Sequence, residues 1–441
     1  MEAMSASPAP PVSTRALNCS HCGAPLTIRS GANALTVVCI QCCSVLDAKD
    51  PSLGVLQTFQ ARERIQPKIP LGKRGKLDGA EWETIGFQER TITVEGVPYS
   101  WYEYLLFNPY KGYRYLSEYR GHWNLGRTLR ALPTAATAGA KPAARVGQET
   151  FTHFQTAMAQ TTYVMGEFPW RVKVGETVQC ADYIAPPKML SAETTPDEVV
   201  WSMARYTPGP EIWQAFGLPG QAPPAEGVFA NQPSPFAGRP RKAWMLFLVF
   251  FVGLFTIMLL VALNARNERV FTGSYRFAPR EGGEPSFVTP VFDLKGHTSN
   301  VEVAVDTDLD NSWVYFGYSL INDSTGEAFD FGREVSRYSG VDSDGAWTEG
   351  STNDSALIPS VPPGRYYLRV EPEGPAARYV NYTITIRRDV PNMIWFGLAL
   401  LLLLIPPIVV SFRSARFEGA RWQESDYATV SSSDDSDSGD D

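Results

Sequence analysis

Two uncharged apolar runs divide the chain. The first, Ala243 to Leu263, reads AWMLFLVFFVGLFTIMLLVAL, and the second, Met393 to Phe412, reads MIWFGLALLLLLIPPIVVSF. At about 1.5 Å per residue, each is long enough as a helix to cross a hydrocarbon core of about 30 Å. Each Leu, Ile, Phe or Val favours insertion by roughly 0.3–0.6 kcal/mol. The pattern predicts transmembrane helices over 243–263 and 393–412. Pro406 and Pro407 predict a kink or an early end to the second helix. With no charge inside either run, neither resembles an ion or proton path.

Between the runs the period changes to two. Val301, Val303 and Val305 alternate with Glu302, Ala304 and Asp306, and Val314, Phe316, Tyr318 and Leu320 alternate again. Pro363-Gly364 turns into Tyr366, Leu368 and Val370, and Val380, Tyr382, Ile384 and Ile386 form a last alternating run. This predicts an antiparallel β-sandwich or jelly roll over 264–391. Asp306, Asp308, Asp310 and Asn311 cluster there, as do Asp323, Asp342 and Asp344. They lack EF-hand spacing and read as solvated rim acids rather than a calcium site. Trp313 and Trp347 could stack on a sugar, but one of them is placed in a strand and reads as core, and no ligand is assigned.

The N-terminal half is also β-patterned. Arg90–Val94 and Tyr99–Phe107 flank the turn Glu95-Gly96, and Tyr113–Tyr119 follows the turn Asn108-Pro109. Ala131–Ala144 reads as a loop, after which Phe151–Phe154, Thr161–Met165, Trp170–Val174 and Thr177–Ile184 repeat the character. A mostly antiparallel β domain of two related halves is predicted over 68–216. Its most helical stretch falls in 193–216, with Ser191 or Thr195 as a cap. Residues 48–67 and the Pro/Gly-rich 217–242 read as linkers.

Five of the six cysteines lie between residues 19 and 43, and Cys180 stands alone. Cys19-x2-Cys22 and Cys39-x2-Cys42 are separated by sixteen residues, the spacing of a zinc ribbon over 17–47. Overlaying CSHCGAPL on CIQCCSVL puts Cys43 in the turn position of Gly23, which excludes Cys43 as a ligand. Four thiolates make a closed, structural zinc site, with His21 outside it. Cys180 reads as a small buried residue rather than a nucleophile.

The net charge of −8 is concentrated at the end of the chain. Residues 422–441 carry seven acidic groups and no Lys or Arg, and the remainder is nearly neutral. The acidic tail is placed at 413–441. No broad basic surface is present, so nucleic-acid binding is not expected. Residues 1–16 lack an apolar core, so they are expected to be a disordered N-terminus rather than a signal peptide.

Arg239, Arg241 and Lys242 precede the first run, and Arg413, Arg416 and Arg421 follow the second. By the positive-inside rule these flanks are cytoplasmic. Arg266, Arg269, Arg387 and Arg388 compete on the other side, and the free thiols decide for a reducing cytosol. The expected arrangement is a two-pass membrane protein with both termini inside; in a bacterium the membrane would be the inner one and 264–391 would be extracytoplasmic.

The run Gly72-x2-Gly75-x-Leu77-x-Gly79, then Trp101-Tyr-Glu-Tyr104, Tyr115-Leu-Ser-Glu118 and Gly121-His-Trp123, resembles a bacterial family of domains of unknown function. Gly166-Glu-Phe-Pro-Trp170, Asp182-Tyr-Ile-Ala-Pro-Pro187 and Leu190-Ser-Ala-Glu193 extend the likeness to about 68–216. The resemblance implies a module often joined to a zinc ribbon, in some members encoded near membrane-stress or polyamine-related genes. It carries no catalytic residues.

No nucleophile, open metal site or phosphate loop is evident. The expected function is a non-enzymatic scaffold or sensor with a bilayer and protein partners. One alternative is an enzyme using Glu103, Glu118, His122, Glu167 or Glu193 as acid and base. Another is an accessory subunit of a transporter or channel.

Overall fold

A computed structural model describes residues 15–61, 64–278, 286–343, 345–375 and 379–428. Two compact units divide the chain at Pro240/Arg241 and Ile408/Val409. Residues 1–14 of the expected N-terminus and 429–441 of the expected acidic tail lie outside the described residues.

The first unit begins with short strands β1 (Arg15–Asn18), β2 (Pro25–Ile28), β3 (Thr36–Val38), β4 (Ser44–Asp47) and β5 (Val55–Thr58). Strand β5 pairs with β4, so the connector expected at 48–67 is partly sheet. Ten strands follow: β6 (Arg74–Leu77), β7 (Ala80–Val94), β8 (Val97–Asn108), β9 (Gly112–Tyr119), β10 (His122–Thr128), β11 (Thr134–Ala138), β12 (Lys141–Val146), β13 (Glu149–Phe168), β14 (Thr177–Ala185) and β15 (Lys188–Thr194). Strand β16 (Val199–Thr207) and helix α1 (Gly209–Phe216) complete the run. Within the stretch 193–216, where the most helical segment was expected, residues 199–207 are strand and the helix occupies only 209–216, starting after Pro208 with Pro210 in its first turn. The expected loop at 131–144 is the β11–β12 hairpin.

Strands β7–β10 and β13–β16 are two four-stranded meanders. They join through β10–β16 and again through β7–β13, which closes an eight-stranded antiparallel barrel. Closure leaves none of these eight strands at a sheet edge. At the β7–β13 seam, Gly86 faces Gly166. A Cβ on Gly86 would lie 2.6 Å from the Glu167 carbonyl, so the seam requires glycine there. On one face of the wall, Trp82, Phe87, Tyr104, Leu116 and Trp123 pack with Ile212 and Phe216 of α1. Alternating positions such as Leu105 and Val164 face the other way and pack with Val38 and Val45 of β3 and β4.

The second unit contains β17 (Glu268–Phe277), β18 (Phe287–Val288), β19 (Phe292–Leu294), β20 (Ser299–Thr307), β21 (Ser312–Asn322), β22 (Ala328–Asp342), β23 (Gly345–Gly350), β24 (Asn353–Val361), β25 (Gly364–Glu373) and β26 (Val380–Arg388). One antiparallel sheet runs β17-β26-β20-β24, and another runs β18-β25-β21-β22-β23 with β19 also on β25. The alternating residues read from sequence, including Val303, Phe316, Leu368 and Ile384, enter one shared hydrophobic cluster. Trp313 and Trp347 do not join it, being 37% and 42% exposed.

Two helices are long and apolar enough to cross a membrane: α2 (Arg239–Asn264) and α3 (Ile394–Trp422). Both extend past the apolar runs. Pro406 and Pro407 lie inside α3 and do not end it, and residues 413–422, expected in the tail, are its last turns.

Candidate metal centre

The two cysteine pairs sit on matching turns. Cys19 donates its N–H to the Ala24 carbonyl at 2.8 Å, and Cys39 donates to Ser44 at 2.9 Å. Gly23 and Cys43 return N–H bonds to the Cys19 and Cys39 carbonyls at 2.8 and 2.9 Å. Gly23 has φ 77° and Cys43 φ 54°, so the two are equivalent turn residues.

The sulfurs of Cys19, Cys22, Cys39 and Cys42 lie within 4.8 Å of one another, a grouping able to hold a metal ion. Cys19–Cys42 and Cys22–Cys39 are each 3.7 Å apart. A tetrahedral site with metal–sulfur bonds of about 2.3 Å has edges of about 3.8 Å, so the donor set fits. A metal held by all four thiolates would brace the two turns and have no open position.

The surroundings treat the thiols unequally. Burial pushes Cys39 up to about 12. At Cys42 burial also acts upward, but hydrogen bonding with Ser44 and His21 brings the thiol down to about 5. Ser44 is fully buried, with its Oγ 3.2 Å from the Cys42 sulfur and 3.2 Å from His21 Nδ1. His21 thus stands outside the four-sulfur group, supporting one thiol through a serine.

This module is built into the barrel wall. β3 pairs with the end of β13, with Val37 opposite Glu167. The Glu167 side chain is fully buried, and its carboxylate accepts from the N–H of Arg29 at 2.5 Å, the N–H of Ser30 at 2.8 Å and Ser30 Oγ at 2.7 Å. A residue considered for acid–base work is instead the anchor of the cysteine module.

The other acid–base candidates are engaged, and two of them, Glu103 and Glu193, meet at Arg90 Nη1, at 3.8 and 2.5 Å. Glu118 is buried and accepts from Lys68 Nζ and the Gly121 N–H, both at 2.8 Å. Glu103 accepts from Gln88 Nε2 at 2.6 Å and Trp101 Nε1 at 2.7 Å. His122 Nε2 lies 2.9 Å from the Glu226 carbonyl, which only accepts, so this nitrogen carries the proton. Nδ1 then accepts from the Tyr206 hydroxyl at 3.0 Å. Burial lowers the His122 pKa and favours this neutral form.

Glu193 pairs with Arg90 at 2.5 Å. Their strands, β15 and β7, are not neighbours, so the pair bridges the barrel interior. Cys180 Sγ is 3.6 Å from the same guanidinium. Burial nevertheless pushes that thiol up to about 12, which makes it a poor nucleophile at neutral pH.

Sequence reasoning missed a clasp between distant segments. Residues 217–242, expected to be a linker, include a strap held on the barrel by Asn231, whose amide donates to Asn124 Oδ1 at 2.7 Å. Arg421 at the end of α3 reaches this strap. Its Nη1 donates to the carbonyls of Ala230 (2.6 Å) and Phe229 (3.2 Å), and its Nη2 to Gln232 (2.7 Å). Arg421 is 2% exposed, so its charge is spent inside the protein rather than offered to lipid. Beyond it, Trp422 packs on Phe154, and Asp426 accepts the Thr156 N–H at 2.9 Å. The only sequence signal was a lone arginine ahead of an acidic tail, which the charge count read as a membrane flank.

Residues 70–209 match the family model described as a domain of unknown function (DUF4178). The match lies within the module expected at 68–216. No curated protein matches the chain. Among solved structures, one of infectious bursal disease virus, Gt strain, is 12% identical, covers 72% of this chain and 74% of that chain, and has a TM-score of 0.18. The Gx strain structure is 11% identical, with coverage of 81% and 65% and a TM-score of 0.18. The mosquito-larvicidal Cry4Aa toxin from Bacillus thuringiensis is 7% identical, with coverage of 72% and 53% and a TM-score of 0.17. At such TM-scores these likenesses carry no argument about this protein.

Proposed function

We propose that the chain is a non-enzymatic membrane scaffold or sensor. In this reading α2 and α3 cross a bacterial inner membrane, and both termini are cytoplasmic. Cys19, Cys22, Cys39 and Cys42 hold a structural zinc ion. The segment 264–391 is an extracytoplasmic β-sandwich or jelly roll that contacts an envelope ligand or protein.

The observation that carries the proposal is the use made of the barrel's polar groups. Glu118, His122 and Glu167 serve separate structural contacts, and Glu103 and Glu193 are both drawn to the buried Arg90, at 3.8 and 2.5 Å from its Nη1, so the five do not gather around one open reacting centre. Glu167 ties the cysteine module to the barrel, His122 ties the barrel to the strap before α2, and Arg421 ties the strap to the end of α3. A signal received at the cysteine module or barrel wall therefore has a packed route to both membrane helices. On the outer unit, an open concavity of about 630 Å³ lined by Tyr275, Arg276, Asp306, Asp308, Asn381 and Tyr382 offers a contact surface.

The test is chemical cross-linking of the full-length protein in intact cells, mild solubilisation and mass spectrometry. Repeatable recovery of a defined membrane or envelope protein is the expected result. Turnover of a compound by the purified full chain in an unbiased metabolite screen, abolished by Glu103→Gln or Glu118→Gln, would overturn the proposal in favour of an enzyme.

A further inference from the structure

The basic residues beside the outer ends of the apolar runs are not scattered. Arg266 follows the last residue of α2 by two positions, and Arg388 ends β26 shortly before α3. The chain folds these two arginines together with Lys295 and His297 around a small cavity, which Ser299, Glu268 and Asp389 also line.

The base of the cavity is built and its mouth is open. Arg388 is only 3% exposed. Its Nη2 donates to the His297 carbonyl at 2.5 Å and to the Val361 carbonyl at 3.5 Å. Its Nη1 is buried and has no hydrogen-bond partner among the described residues, and neither has Ser299 Oγ. A buried donor left unpaired costs roughly 1–3 kcal/mol, more when charged, so two of them around one cavity call for an acceptor. Arg266, Lys295 and His297 are exposed at the rim.

The acceptor must be small at its tip and anionic overall. The cavity is about 10 Å³, space for about one oxygen atom. The two carboxylates constrain it further. Asp389 already accepts the Arg266 N–H at 3.0 Å through Oδ2, while Glu268 adds a second negative charge. Three fixed cations against these two acids leave a net positive site, and a phosphate group supplies both the inserted oxygen and the remaining charge.

We propose that Arg266, Lys295, Ser299 and Arg388 form a phosphate-binding site at the membrane-proximal end of the outer unit. One phosphate oxygen enters the cavity against Arg388 Nη1 and Ser299 Oγ. Arg266 and Lys295 hold the others from the rim. The position beside the last turn of α2 favours an anionic phospholipid headgroup as the source; this part rests on the two helices crossing a bilayer. Basic residues on the side where the positive-inside rule disfavours them then have a specific partner.

The experiment uses full-length protein in a zwitterion-free, uncharged detergent. Thermal unfolding is followed during titration with dioctanoyl phosphatidylglycerol, dioctanoylglycerol and inorganic phosphate. Phosphatidylglycerol is expected to raise the midpoint saturably, and dioctanoylglycerol is not. In Arg266→Gln/Lys295→Gln, which changes exposed side chains only, the half-saturating concentration is expected to rise at least tenfold. Arg388→Lys keeps the charge but loses the fork, and should weaken binding if its circular dichroism is unchanged.

Equal stabilisation by inorganic phosphate, lost in the same double variant, assigns the site to free phosphate. No response to either phosphate compound, an equal response to dioctanoylglycerol, or an unchanged double variant overturns the proposal. Resistance of the protein to carbonate extraction from membranes is scored separately, so failure of the membrane reading is not confused with failure of the site.

Discussion

Arg421 donates a 2.6 Å hydrogen bond to the carbonyl of Ala230, although 191 residues separate them in sequence. The contact joins the strap that leads into α2 to the last turn of α3. Bonds from a charged donor contribute about 1.5–3 kcal/mol each, and lysine cannot reproduce the guanidinium fork. Arg421→Lys and Arg421→Ala are both expected to loosen the strap while leaving the barrel folded. Hydrogen exchange at Phe229–Gln232 should accelerate at least tenfold in either variant, with barrel strands unaffected. Unchanged exchange in the strap would show that the clasp contributes nothing to its order.

Glu167 makes a different kind of anchor. Glu167→Gln is nearly isosteric but places an amide donor among three donors from Arg29 and Ser30. The expected loss is about 2–3 kcal/mol. It should appear as a lower unfolding midpoint and as faster metal release to a chelator. Wild-type metal release would separate the carboxylate from the cysteine module.

Four thiols and a turn residue predict a sharp contrast among cysteine variants. Replacing any one of Cys19, Cys22, Cys39 or Cys42 with serine is expected to abolish stoichiometric metal, measured by elemental analysis of purified protein. Cys43→Gly is expected to keep full metal content and to gain up to about 1 kcal/mol, because φ 54° suits glycine. Metal loss in Cys43→Gly would mean that the overlay of the two turns is wrong.

At the barrel seam, Gly86→Ala places a Cβ against the Glu167 carbonyl at 2.6 Å. Backbone must move, at a cost of about 1–3 kcal/mol. Denaturant unfolding should show a lower midpoint with an unchanged slope. A variant as stable as wild type would mean that the seam is not tightly closed.

His122 sets a pH dependence. Burial lowers its folded-state pKa below the ordinary 6.5, so between those two values the unfolded chain binds the extra proton. The contribution is present in full above about pH 6.5 and declines as pH falls from there towards the folded-state pKa. His122→Gln should be less stable at pH 7.5 but should flatten the stability profile between pH 7.5 and 5.5. A profile unchanged in slope would assign the titration to another group.

Local patterns carried much of this architecture. The alternation of Val301, Val303 and Val305, the uncharged runs and the paired cysteines each encode their surroundings within a few residues. Period-two alternation fixes which side chains share a face, and the C-x2-C spacing fixes a turn that brings two sulfurs together. Even the turn role of Cys43 was visible, because its neighbours repeat those of Gly23.

Long-range pairing was decided only by the tertiary structure. Nothing near Glu167 in sequence says that its carboxylate will receive Arg29 and Ser30, and nothing near Arg421 names the carbonyls of 229–232. Residues 199–207 have no strong period, and pairing with β10 and β15 made them strand. The 217–242 segment looked like a linker because its composition is Pro- and Gly-rich, yet its backbone groups found partners on the barrel. A hydrogen bond or ion pair depends on where two segments meet in space, and sequence spacing does not contain that information. For that reason the four-cysteine grouping, built from two local turns, was legible, while the anchor, the clasp and the orphaned donors of Arg388 and Ser299 were not.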